Sequence, residues 1–138
     1  MNVKSGRLPA SKTLPPAKKV DHPPLRFSFK HLDLTNPNFA LAGCAGGYLE
    51  KFLERLKSLC ALTAREFRTN KTSSLKAHTI TWSETREPSG FTCLNSQLRE
   101  EEPWQFEITK NEHGRVHGFL LDDTFYIVWI DPSHYLYS

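Results

Sequence analysis

A chain of 138 residues suits a single domain, and its 38% hydrophobic and 24% charged residues are the balance of a globular protein with a polar segment attached. The formal charge of +3 is unevenly held. Residues 1–25 carry Lys4, Arg7, Lys12, Lys18 and Lys19 against Asp21 alone, a net +4, so the remaining 113 residues sum to −1. The basic pI therefore comes from the N-terminal segment and does not argue for a basic nucleic-acid-binding face on the folded part.

Nine Phe, three Trp and four Tyr supply large core side chains, each able to bury about 150–250 Å². Cys44, Cys60 and Cys93 are an odd set with no CxxC and no His at ligand spacing. That pattern predicts neither a disulfide framework nor a structural zinc site, and leaves three buried, reduced thiols as the expectation. No cofactor or metal is implied. Residues 1–10 lack the apolar stretch of a secretory signal, and no run approaches the roughly 18 apolar residues of a membrane span, so a cytoplasmic protein with no membrane partner is expected.

In chain order, residues 1–24 hold Pro9, Pro15, Pro16, Pro23 and Pro24 among Lys and Ser, with almost nothing to bury. Such a segment cannot offset its ordering entropy and is expected to be a disordered, PPII-like basic tail. It would serve as a solubilising leader or as an arm toward a polyanion or another partner. The single folded domain is expected over 25–138. Phe27 and Phe29 alternate with Arg26, Ser28 and Lys30 at strand period, until Asn36-Pro37-Asn38 breaks the pattern. The run Ala42-Gly43-Cys44-Ala45-Gly46-Gly47 lacks the GxxxxGK[ST] order of a phosphate-cradling loop and reads as a flexible lead into a helix. Leu49, Phe52, Leu53, Leu56, Leu59 and Cys60 then fall at helical spacing, predicting one amphipathic helix of about four turns. Thr63 and Glu66 form a capping box that opens a short second helix ending near Asn70.

From Leu75 the period becomes two. Residues 75–82 read as a strand, and 83–103 as a loop with an acidic run, Glu100-Glu101-Glu102, and one apolar patch at 91–94. Trp104, Phe106 and Ile108 alternate with Gln105, Glu107 and Thr109 as a second strand, and the loop at 110–114 turns the chain into a third at 115–121. After Asp122-Asp123, residues 124–130 are apolar almost throughout, the mark of a strand buried on both faces. Residues 134–137 offer a last short strand. These elements predict an α+β fold, an N-terminal strand and a two-helix segment packed on a small antiparallel sheet.

The turn after the most buried strand is held by a rigid scaffold, and it carries His134, Tyr135 and Tyr137. Arg115 and His117 share a face of the preceding strand. Arg can grip a phosphate through two N–H groups and stabilise developing charge. His can move protons near neutral pH, and Tyr can stack on a base or donate a proton. Together they offer what phosphodiester cleavage needs. Each also has a structural alternative: His117 as a satisfied cross-strand residue, Tyr135 or Tyr137 as core, Asp131-Pro132 as a turn.

The C-terminal third, WQFEI, a loop, RVHGFLLDDTFYIVWI and DPSHYLY, resembles the RelE/ParE superfamily of small bacterial toxins. The likeness matches Arg115 to that family's sheet arginine and His134 and Tyr137 to its closing His and Tyr; elsewhere only the order of elements agrees. It implies a RelE-like toxin of a toxin–antitoxin pair that cleaves RNA, in particular mRNA at the ribosome, without metal. By the resemblance His134 would be general acid or base, Arg115 would stabilise charge on the phosphate, and Tyr137 would orient or stack. Lys76, His78, His117 and Tyr135 would contact RNA. The chain departs from the family in its Pro-rich tail, its longer acidic loop at 83–103 and its lack of strong basic charge. Family members without the catalytic side chains bind proteins, so the alternative is a non-catalytic protein-binding module of a toxin–antitoxin or phage-defence system, with an antitoxin as one partner.

Overall fold

A computed structural model describes residues 22–44, 46–69, 76–110 and 112–138. All but the last three residues of the expected tail lie outside this set, as do Asn70, Leu75 and Asn111. The chain builds five strands, β1 (Arg26–Ser28), β2 (His78–Thr79), β3 (Glu102–Glu107), β4 (Arg115–Leu121) and β5 (Thr124–Asp131), and two helices, α1 (Tyr48–Leu59) and α2 (Ala64–Thr69), which fall between β1 and β2. The strands form one sheet in the order β1-β5-β4-β3-β2. The α+β class follows the sequence pattern.

The sheet is not purely antiparallel. β1 runs parallel to β5, with Phe27 opposite Phe125, while the other neighbours are antiparallel. Alternation along β1 fixes which residues turn inward but not the strand's direction. Direction follows from the route: both helices and three strands intervene before β5 returns beside β1, and so long a crossover permits parallel pairing.

One face of the sheet takes the helices. Phe52, Leu56 and Leu59 of α1 and Phe67 of α2 pack on Trp104, Phe106, Val116, Leu120, Phe125 and Ile127. Phe67 is wholly buried, with its ring edge-on to Trp104, Phe106 and Phe125. Burying such a side chain contributes roughly 1.5–3 kcal/mol. The capping box forms as read: Thr63 N donates to Glu66 Oε1 at 2.9 Å, and Glu66 N to Thr63 Oγ1 at 3.1 Å. Half of the expected α1 stripe is not core, however. Leu49 and Leu53 are 66% and 52% exposed, while Phe52, Leu56 and Leu59 of the same stripe meet the sheet.

The other face is covered by chain that the sequence presents as loop. Phe39, Ile80, Phe91 and Leu94 close over Phe119, Val128, Trp129 and Leu136, with Phe39 stacked on Trp129 at 4.3 Å. Residues 83–103 are thus a packed layer, with short 3-10 turns at Trp82–Glu84 and Leu98–Glu100. The strand expected over 75–82 shrinks to His78–Thr79, since Lys76 adopts a left-handed φ of 45° and Trp82 turns in to meet Phe91 and Trp129. Residues 134–137 form no strand; they turn at His134, which also has a left-handed φ, 57°. The thiols are free, but Cys60 and Cys93 are exposed and Cys44 half-buried, contrary to the buried set expected. Cys60 is the C-cap of α1. Among the described residues no helix is long and apolar enough to cross a membrane.

Candidate active site

Beside this apolar layer the same face carries a set of buried polar residues, Gln105, Glu107, His117 and Asp131. Glu107 lies opposite Arg115, and Arg115 opposite Asp131. In the next row inward, His78 lies opposite Gln105, Gln105 opposite His117, and His117 opposite Trp129. Since side chains alternate along strands, both rows project from the same face. Immediately beyond, the register slips between His117 and Gly118, so that Val128 becomes an extra residue in β5. Bulges of this kind re-aim side chains beside functional sites. Here a Cβ on Gly118 would lie 2.0 Å from the Tyr126 carbonyl oxygen, so glycine is what lets the strands close.

Asp131 is the anchor of the C-terminal turn. Its carboxylate accepts from Tyr135 N at 2.8 Å, Leu136 N at 3.0 Å and His117 Nε2 at 3.0 Å. Burial alone would raise its pKa, but the His117 bond and charge, with the two backbone donors, outweigh burial and hold the carboxyl below its ordinary value. His117 is itself fully buried, and burial pushes its pKa down despite Asp131. We therefore assign a neutral imidazole donating from Nε2 to an ionised Asp131. The buried Nδ1, which has no partner, is then a lone pair rather than a stranded N–H.

His134 sits on the turn that Asp131 fixes. Partial burial, then the Arg115 guanidinium, lower its pKa, while Asp131 and Glu107 oppose the shift. The imidazole is thus neutral near pH 7 and free to accept a proton. Arg115 Nη2 lies 3.1 Å from Glu107 Oε2, and Lys76 Nζ lies 3.8 Å from the same oxygen. Glu107 is only 1% exposed, and neither contact has hydrogen-bond geometry; both carboxylate oxygens are buried without a hydrogen-bond partner. Two cations thus flank one buried carboxylate, and both remain partly open to solvent.

The remaining residues singled out in the sequence separate into groups. Tyr137 accepts from Thr81 N at 2.9 Å, and its ring meets the His78 ring edge-on at 5.6 Å. His78 Nε2 in turn lies 3.1 Å from Gln105 Nε2, and its Nδ1 faces Thr79 O at 2.8 Å. Tyr135 is held away from this group, edge-on to Phe39 and beneath the Arg86 guanidinium at 5.3 Å. His117, with no exposed surface, meets Asp131 rather than any ligand. Arg115 and Lys76 therefore flank Glu107, His134 stands on the adjoining turn within electrostatic reach of Arg115 and Glu107, and Tyr137 and His78 lie one row along the same face.

Glu107 and Gln105 were missed by sequence reasoning because alternation with Trp104, Phe106 and Ile108 marks them as the wet side of a strand. A signal was present in the apolar run at 124–130, which requires a second covered face. Chemically, the arrangement offers two cations for an anionic group and a neutral imidazole for a proton. Among the described residues no three His, Cys, Asp or Glu side chains group as metal ligands. No protein-family model, curated protein or solved structure matches this chain.

Proposed function

We propose that the chain cleaves RNA without a metal, as a RelE-like toxin acting on mRNA at the ribosome. The observation that carries this reading is the pairing of Arg115 and Lys76 about the buried Glu107 carboxylate, with a neutral His134 on the adjoining turn, within electrostatic reach of Arg115 and Glu107. Without substrate, Glu107 balances the two cations. With RNA in place, Arg115 binds the non-bridging oxygens of the scissile phosphate and stabilises the charge that builds there. His134 takes the proton of the neighbouring 2′-OH, the 2′-oxygen attacks phosphorus, the bond from phosphorus to the 5′-oxygen breaks, and the Lys76 ammonium supplies a proton to that oxygen. The products are a 2′,3′-cyclic phosphate and a 5′-hydroxyl. Tyr137 and His78, one row away, orient the chain of the RNA. In a translation reaction, adding the full-length protein should fragment mRNA; intact mRNA at protein excess over ribosomes would reject the reading.

One observation favours a second reading, a protein-binding module without turnover. Leu49 and Leu53, one turn apart on α1, leave a helix face exposed beside Glu50, Glu54 and Lys57. Large exposed apolar side chains placed together mark interaction surfaces, and in this reading the partner is a protein of a toxin–antitoxin or phage-defence system, an antitoxin being one candidate.

A further inference from the structure

A cavity of about 540 Å³ lies beside the candidate active site, walled by Cys44, Tyr48, Glu112, His113, Pro132 and Ser133 among others. Two of its walls lead directly into the site: His113 is followed by Gly114 and Arg115, and Ser133 by His134. Those walls are locked together. A Cβ on Gly114, whose φ is 79°, would fall 2.0 Å from the Asp131 carbonyl oxygen and 2.6 Å from Pro132 Cα, so only glycine lets the β3–β4 loop lie against the Asp131-Pro132 turn. A group in the cavity and a phosphate at Arg115 and His134 would consequently belong to adjacent parts of one ligand.

The lining says what kind of group fits. The volume is within the roughly 300–1,000 Å³ of small-ligand sites. The Tyr48 and His113 rings lie 5.9 Å apart at 44°, a pair of aromatic surfaces suited to a flat unsaturated ring. The Tyr48 hydroxyl is enclosed by protein, and burial, reinforced by Cys44 and Asp131, raises its pKa, so the residue offers the cavity its uncharged ring rather than its hydroxyl. Glu112 puts an exposed carboxylate on the wall, which repels a second phosphate and accepts from an amine. We propose that this cavity is a nucleobase subsite, holding the base of the nucleotide whose 3′-phosphate lies at Arg115 and His134. The inference rests on the RNA-cleaving reading of that site.

Cys44 gives a readout that does not depend on cleavage. In the full-length protein, alkylation of Cys44 by iodoacetamide is followed by peptide mass spectrometry, with adenosine, guanosine, cytidine and uridine 3′-monophosphates as probes and ribose 5-phosphate as the control. At about ten times its Kd, a nucleotide that fills the cavity slows Cys44 alkylation about tenfold and leaves the exposed Cys60 unaffected. His113→Ala should abolish most of this protection, and Tyr48→Phe, which keeps the ring and removes only an enclosed hydroxyl, should retain it. No protection by any of the four nucleotides, or equal protection by ribose 5-phosphate, overturns the subsite. RNA cleavage without nucleotide protection also overturns the subsite and leaves the nuclease reading standing. Nucleotide protection without RNA cleavage upholds the cavity as a base-binding site and removes the nuclease reading.

Discussion

His117 and Asp131, fourteen residues apart on neighbouring strands, are joined at 3.0 Å with both side chains removed from solvent. Asp131 spends its remaining lone pairs on the backbone of Tyr135 and Leu136. His134 is therefore held by its neighbours' hydrogen bonds together with its own backbone bond to the Asp131 carbonyl at 3.4 Å. Asp131→Ala strands two buried donors, His117 Nε2 and Leu136 N, each worth on the order of 1–3 kcal/mol, and the part-buried Tyr135 N, so a loss of at least about 2 kcal/mol is expected in urea unfolding. A loss under about 1 kcal/mol would show that the turn is anchored elsewhere.

The same pair sets a pH dependence. His117 has its pKa lowered in the folded state, so the unfolded chain binds the proton more readily, and stability present above the ordinary His value near 6.5 falls as pH drops through that region. Asp131, also lowered, adds stability that is present above the ordinary carboxylate value near 4 and is lost below it. Unfolding midpoints measured from about pH 8 to about pH 3 should therefore fall in two steps. His117→Gln should shrink the upper step; an unchanged upper step would assign it to another group.

On α1, Phe52→Ala or Leu56→Ala should cost roughly 2–5 kcal/mol, as buried large-to-small changes do. Leu49→Ala and Leu53→Ala should each stay within about 0.5 kcal/mol despite their place in the same apolar stripe. Equal destabilisation by the two pairs in thermal or urea unfolding would contradict the helix orientation.

That stripe shows where the sequence was legible and where it was not. Helical period marks α1 correctly, but period alone cannot say how wide a surface waits beneath it, and so Leu49 and Leu53 pass for core. The capping box at Thr63 and Glu66 is read without error because its chemistry is local. Glu107 is the opposite case: its place beside Arg115 and Lys76 depends on the pairing of β3 with β4, which a local pattern does not carry. The parallel placement of β1 likewise depends on the chain's route. At the site, Arg115 and His134 could be named from residue type and position, whereas the Asp131 anchor and the Glu107 counter-charge required the register.

If His134 is the base, cleavage should rise with pH to an inflection below the ordinary His value, because burial and Arg115 both disfavour its imidazolium. Arg115→Gln removes one of those causes and should move the inflection upward as well as lower the rate by about 10²–10³. A pH–rate profile in which the inflection stays fixed or moves down would separate Arg115 from His134.

The most direct test compares the wild type with His134→Asn in single-turnover cleavage of mRNA on translating ribosomes, with the RNA ends mapped. Asn tolerates the left-handed backbone that His134 adopts, so the variant should unfold at the same urea concentration as the wild type. The wild type should leave 2′,3′-cyclic phosphate and 5′-hydroxyl ends, and His134→Asn should be slower by about 10²–10⁴. Equal rates for the two folded proteins would contradict the account, as would 5′-phosphate ends on the fragments.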